Sequence, residues 1–484
     1  MLFNSYEFIF YFFPICILGY FLLNKISYAF GEYFLIIMSF YFYAYFNPSY
    51  FPIILGSILG NYALTYIMRR QKNTLYKKMF LVIGVVANVG ILFYYKYMGF
   101  FIHNINVIFG TDFFVTNILL PLGISFFTFQ QLSYVIDSYM GTVPQYTFRQ
   151  YALFVTFFPQ LIAGPIVLHS EVIPQFEDRT KKNFNWDNFA AGLMAFSFGM
   201  AKKVLIADSF GNVVNWGFAN VNVLGTTNAI FVMLSYTIQI YFDFSGYCDM
   251  ATGIAKIFNI DIPMNFNSPY RALSVTEFWK RWHMTLTRFL RTYIYFPLGG
   301  NRKGTIRTYV NLFTVFLVSG IWHGANYTFI VWGVLHGLVM IVERIFKKKL
   351  ESIHPALRWS YTFIFVSVAW VIFRADSLEV AGTLLKQILD FNVTSLSGAI
   401  GPAFGCVLIQ ELLGYMGAIG VYFQSTMPVY LMLAALFAIL WCKNTNERLD
   451  QFKASKVSAI ISAILLMLSI MSLSGESTFL YFNF

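Results

Sequence analysis

A histidine buried deep in apolar sequence carries the strongest chemical signal in this chain. His323 stands in Ser319-Gly320-Ile321-Trp322-His323-Gly324-Ala325-Asn326. The nearest strong charges are Arg307 on one side and Glu343, Arg344 and Lys347 to Lys349 on the other. Each flank is about one membrane span away, at roughly 1.5 Å per helical residue. The chain therefore rises from a basic surface, turns near Gly324 and descends to a basic surface, with His323 near the apex. A neutral imidazole acts as a base or as a nucleophile, and an ionisable group at such depth is a functional-site hypothesis. The competing reading is a tautomer-locked imidazole that only ties two helices together.

The second candidate is a basic stretch, Ser268 to Arg307. It carries Arg271, Lys280, Arg281, Arg288, Arg291, Arg302, Lys303 and Arg307 against the single acid Glu277. Phe278, Trp282, Leu286, Phe289, Leu290 and Tyr293 recur at helical spacing, with Lys280, Thr287 and Arg291 opposite. That pattern predicts a helix lying in the membrane interface, apolar face down. Trp279 and His283, four apart, share a face along its edge, and Pro297-Leu298-Gly299-Gly300-Asn301 ends it in a turn. Such a segment anchors to lipid headgroups, or its arginines hold a cytosolic phosphate-bearing ligand through their planar forks. Sequence alone leaves both readings open. Asp243 and Asp249, six apart, lack the pattern of a metal loop and read as capping or arginine-paired carboxylates.

These residues must be positioned by membrane-spanning helices. Of 484 residues, 58% are hydrophobic and only 11% charged, against about 25% charged in a soluble domain. A soluble core cannot hide that surplus, so the chain is an all-α, polytopic membrane protein in one domain, residues 1–484. Its 56 Phe and 32 Tyr suit lipid contact and interfacial belts. The net charge of +11 reports cytoplasmic loops, not nucleic acid. Cys16, Cys248, Cys406 and Cys442 are scattered and form no CxxC pair, so neither a zinc site nor a disulfide framework is indicated.

Spans are predicted at Phe8 to Leu23 (not a cleaved signal), Ser27 to Phe46, Tyr50 to Met68 and Met79 to Tyr95. Ile118 to Ile136 carries Pro121, Gly123 and Gln130-Gln131, which predicts a broken or cavity-lining segment. Pro159-Gln160 and Gly164-Pro165 predict a re-entrant element over Phe154 to Leu168, since helix breakers at membrane depth need protein or a cavity around them. Phe189 to Leu205 is interrupted by Lys202-Lys203, and Ile230 to Phe244 ends at the two aspartates. Tyr361 to Phe373, Pro402 to Phe423, Val429 to Trp441 and Val457 to Leu473 complete the set. The Lys/Arg excess places residues 69–78, 268–307 and 443–456 in the cytoplasm and both termini outside. That requires an odd number of full spans, about eleven to thirteen.

Four groups of residues together resemble the membrane-bound O-acyltransferase family, most closely its bacterial alginate O-acetylation branch. They are Glu277-Phe278-Trp279-Lys280-Arg281-Trp282-His283, Tyr295-Phe296-Pro297-Leu298-Gly299-Gly300-Asn301, Trp322-His323-Gly324-Ala325 and Phe158-Pro159-Gln160-Leu161-Ile162-Ala163-Gly164-Pro165-Ile166. Phe373-Arg374-Ala375 and the tail Tyr481-Phe482-Asn483-Phe484 fit the same branch. The resemblance implies acyl transfer from a cytosolic thioester to an acceptor across or within the membrane. Its hallmark histidine matches His323, read as general base, and its second polar position matches His283.

On this resemblance the chain is an acetyltransferase of the bacterial cytoplasmic membrane, serving O-acetylation of a cell-surface polysaccharide such as alginate. Acetyl-CoA is the expected donor, with no permanently bound cofactor and no metal. Arg281, Arg288, Trp279 and Trp282 are candidate donor contacts, and Trp322, Gly324 and Asn326 candidate shapers of the site. His336 reads as structural, and His103, His169 and His354 carry no motif. A separate extracytoplasmic SGNH-type acetyltransferase is the implied partner. The closest alternative is D-alanyl transfer to teichoic acid. A rival of another class is a polysaccharide transporter or export scaffold, which predicts paired repeats of broken helices.

Overall fold

Apolar runs at helical length dominate, and the computed structural model realises them as helices. It describes residues 1–114, 118–404, 415, 417–473 and 479–480. Among the described residues every regular element is helical. Six helices of the described residues are long and apolar enough to cross a membrane: Phe8–Ile26, Pro48–Arg70, Thr74–Lys96, Trp186–Ala219, Tyr327–Ile345 and Pro355–Arg374. Their outer faces expose Leu18, Leu22, Val86, Leu338 and Ile364, as a lipid-facing surface requires. The expected count of eleven to thirteen is larger, because several other helices are shorter or enclosed by protein. Met98–Phe109, Thr426–Trp441 and Lys456–Met471 are apolar but short. The Tyr481 to Phe484 tail, and residues 405–414 and 416 of the expected Pro402 to Phe423 span, Cys406 among them, lie outside the described residues.

The chain packs as two compact units, Met1–Phe196 with Met250–Pro263, and Ser197–Asp249 with Met264–Phe484. In the first unit the break expected within Ile118 to Ile136 falls at Pro121 to Gly123, ahead of the helix. Helix Ile124–Met140 begins after Gly123, whose φ of 72° suits a residue without a Cβ, and then runs on unbroken. Its Gln131 is fully buried, and its amide oxygen accepts from Ser57 and Tyr151, so protein satisfies that oxygen. Glu32 is likewise buried, paired with Lys182 at 2.8 Å and Arg149 at 2.7 Å. The Pro159/Gly164 segment is broken as expected, into Phe148–Thr156 and Phe158–Leu161, and every residue from Tyr151 to Val167 is buried. His169, which carries no sequence motif, is buried and lies 3.2 Å from Asp137.

Two further expectations are corrected in the second unit. The Asp243–Asp249 stretch does not end a helix, because Thr226–Ile257 runs straight through it. The carboxylates face lysines, not arginines: Lys203 lies 2.7 Å from both Asp243 and Asp208, and Lys202 lies 2.5 Å from Asp249. Lys202-Lys203 therefore do not interrupt their span. They sit in a π-helical turn, Ala201–Ala207, whose wider winding keeps the run continuous.

Candidate active site

The basic segment is not one interfacial helix. It forms Val275–Arg281, Met284–Leu290 and the π turn Arg291–Tyr295, broken at His283, whose φ is 44°. A left-handed non-glycine residue persists only where its surroundings fix it. Asn265 supplies that fixing. Its Oδ1 accepts from Thr285 N at 3.3 Å and Thr285 Oγ1 at 2.9 Å, and its backbone oxygen accepts from Met284 N at 3.0 Å. His283 Nδ1 lies 3.1 Å from the same Oδ1. Because a backbone N–H identifies Oδ1 as the oxygen, His283 must donate through Nδ1–H. Its basic lone pair is then on Nε2. Burial pushes the imidazole pKa down to about 3, so the ring is neutral near pH 7.

Short helix Val275–Arg281 is locked in place by a buried carboxylate. Glu343, on helix Tyr327–Ile345, accepts from Val275 N at 2.7 Å, Thr276 N at 2.8 Å and Thr276 Oγ1 at 2.6 Å. A carboxylate at a helix N-terminus satisfies orphan donors and complements the dipole. Ser274 caps the same turn by accepting from Glu277 N. Two turns of the long helix away, Trp279 Nε1–H donates to His336 Nδ1 at 3.1 Å.

Helices Thr305–His323 and Tyr327–Ile345 form a tight hairpin. A Cβ on Gly320 would stand 2.4 Å from the Phe329 carbonyl oxygen, and one on Gly333 2.6 Å from that of Phe316. Asn311 ties the start of the hairpin to the preceding turn by donating to Gly300 O at 2.8 Å. At the other end, His323 is the last residue of its helix and Gly324 leaves in extended conformation. Gly324 has no room for a side chain, since a Cβ would meet the Phe329 ring at 2.2 Å. His323 is 4% exposed. Its ring packs edge-on against Trp322 at 4.9 Å, Trp332 at 5.3 Å and Phe373 at 5.1 Å. Trp322 also lies 6.2 Å from the His283 ring, which touches Phe244 at 4.8 Å. Both histidine rings thus lie within ring-contact distance of one buried indole.

The remaining sequence candidates separate. Arg281 directs Nε and Nη2 to Glu277 and Nη1 to Asn267 O, so its guanidinium braces the segment rather than facing a donor. Trp282 is 1% exposed, stacked on Phe278 and packed against Trp370 and Phe266, which makes it core. Trp279 is buried and engaged with His336. Arg288 is half-buried, while Arg291, Arg302, Lys303 and Arg307 are exposed. Asn326 caps helix Tyr327–Ile345 by accepting from Thr328 N at 3.1 Å and donates to Asp376 O at 2.8 Å. Asn265 and Glu343 escaped sequence reading. A lone Asn between Met264 and Phe266 has no motif, and Glu343 reads as one more charge near a helix end.

Comparison with known proteins identifies the family. The sequence model of the membrane-bound O-acyltransferase family matches residues 40–382. The peptidoglycan O-acetyltransferase of Helicobacter pylori is 40% identical over all of this chain and 98% of its own length. The probable alginate O-acetylase of Pseudomonas aeruginosa is 40% identical over 82% of this chain and 76% of its own. The teichoic acid D-alanyltransferase of Bacillus subtilis is 26% identical over 53% of this chain and 69% of its own. With a multi-pass helical fold, a family match over most of its length and full-length similarity of this degree, the chain belongs to the membrane-bound O-acyltransferase family and is an O-acyltransferase.

Proposed function

We propose that this chain moves acetyl groups from cytosolic acetyl-CoA into or across the cytoplasmic membrane for O-acetylation of an extracytoplasmic glycan. Similarity over the full length to a peptidoglycan O-acetyltransferase favours peptidoglycan as that glycan. The narrower and weaker similarity to the D-alanyltransferase supports an acetyl over a D-alanyl cargo. The observation that carries the reading is that two buried imidazoles, His283 and His323, both lie within ring-contact distance of Trp322.

In this reading the acceptor oxygen attacks the thioester carbonyl carbon while its proton passes to the His323 imidazole. The C–S bond breaks, and the departing thiolate takes up that proton as free thiol. His283 Nε2 offers a second basic nitrogen beside the basic segment, where the thioester enters. Arg288, Arg291, Arg302 and Lys303 make the cationic approach for the donor's phosphates. A hydroxyl of an SGNH-type partner outside then takes the acetyl group from the ester so formed and frees the first acceptor's hydroxyl, with both termini of this chain on that side.

Membrane vesicles carrying the chain, supplied with radiolabelled acetyl-CoA and the partner enzyme, test the proposal. His323→Ala should lower glycan acetylation about a hundredfold or more, the scale of a lost general base. Near-parental acetylation by that variant would end the catalytic assignment. Acetylation that requires a charged acyl carrier protein in place of acetyl-CoA would end the donor assignment.

A further inference from the structure

We propose that His336 is a positioning residue for His323, acting through Trp332; the inference rests on the role given to His323 above. His336 is 1% exposed and lies one turn beyond Trp332 on helix Tyr327–Ile345. An indole has a single polar hydrogen and can only donate. The 3.1 Å contact from Trp279 Nε1 therefore makes His336 Nδ1 the bare nitrogen and puts the ring proton on Nε2. A doubly protonated ring would set N–H against N–H. His336 is thus neither a cation nor a base, because the lone pair that a base needs is already taken. Its Nε2 is buried and has no partner among the described residues.

What remains for His336 is geometric. Its ring lies 4.7 Å from Trp332, 6.0 Å from Phe316 and 5.1 Å from Phe365. Trp332 in turn meets the His323 ring nearly at right angles, 87° at 5.3 Å. Trp332 Nε1 is also buried and without a partner among the described residues, so ring packing alone sets the orientation of that indole. Trp279 presses on the same indole at 5.5 Å. The hydrogen bond from Trp279 to His336 is a directional contact in this column, and His323 is at its far end. A phenylalanine at 336 would fill similar space but would leave the Trp279 N–H unpaired.

The test is a double-mutant cycle on the purified full-length chain in detergent, with acetyl-CoA turnover normalised to monodisperse protein. The variants are Trp279→Phe, His336→Phe and the pair together, beside His323→Ala. Either single change should lower kcat about tenfold with KM for acetyl-CoA unchanged within about twofold, since a reacting group displaced by a fraction of an ångström loses rate rather than binding. The double variant should be no worse than the worse single one, because both remove the same bond. Losses that multiply, or kcat per folded molecule within about twofold of the parent in both single variants, would overturn the positioning role. If His336→Phe does not fold, Trp279→Phe alone decides, since it keeps a ring and strands no donor. An active His323→Ala would instead overturn the catalytic assignment on which this inference stands.

Discussion

Asn265 Oδ1 lies 3.1 Å from His283 Nδ1 and holds a left-handed histidine at the break between two short helices. The same oxygen takes both donors of Thr285. One amide thus sets the backbone, the tautomer and the direction of the His283 lone pair.

Asn265→Leu should therefore cost both stability and turnover. It strands the His283 Nδ1–H and two Thr285 donors in the interior, at about 1–3 kcal/mol for each group left unpaired. Asn265→Asp keeps the acceptor and should retain most of the fold. Thermal midpoints in detergent and kcat for both variants would check this. An Asn265→Leu protein with parental midpoint and turnover would show that the amide does not hold His283.

The His283 imidazole makes a signed prediction for pH. Its folded pKa is pushed down to about 3, against about 6.5 for an unfolded histidine. Between those values the unfolded chain binds a proton that the folded chain refuses, so stability rises with pH there. The contribution is full above about pH 6.5 and is lost as pH falls toward 3. The parent's thermal midpoint should fall across that window more steeply than that of His283→Asn. Parallel midpoint curves for the two proteins would contradict a neutral buried imidazole at 283.

The hairpin that carries His323 depends on the absence of a side chain at position 320. Gly320→Ala would place a methyl 2.4 Å from a carbonyl oxygen on the facing helix, where backbone cannot yield cheaply. About 1–3 kcal/mol of overpacking follows, together with a shift of His323 three residues on. Acetyl transfer should fall more than folded yield does. Unchanged turnover per folded molecule would mean that the helices separate without moving the histidine.

Much of this was legible in the sequence, and what was not has a physical reason. Apolar runs of span length marked the lipid-facing helices, because hydrocarbon demands them. Enclosed elements followed other rules. The Gln131 oxygen and the Glu32 carboxylate are tolerated because distant residues satisfy them, and no window of sequence displays such partners. The Phe278 to Tyr293 periodicity suggested one amphipathic helix, but aromatic residues buried on both sides gave the same pattern. Periodicity reports which residues are apolar, and it cannot see the left-handed turn that Asn265 imposes at His283. Arg281 pointed to phosphate by type alone, and Glu277, four residues earlier, had the stronger geometric claim.

Asp243 precedes Phe244 on the helix whose Phe244 ring packs against His283. Lys203 is 1% exposed and shared between Asp243 and Asp208. Asp243 also accepts from Leu480 N at 2.9 Å, so it fastens the described end of the chain. Lys203→Met removes the cation and leaves Asp243 charged in the interior, a loss of about 3–5 kcal/mol. Asp243→Asn should cost less, because Lys203 keeps Asp208 and the amide oxygen still accepts from Leu480. Combining Lys203→Met with Asp243→Leu should recover part of the loss, since no uncompensated charge then remains at 243. Midpoints for the three proteins should rank Asp243→Asn highest, the double variant next and Lys203→Met lowest. If Lys203→Met melted with the parent, the buried carboxylate would have to be neutral in the native protein, and the ion pair would not be what holds this helix against its neighbour.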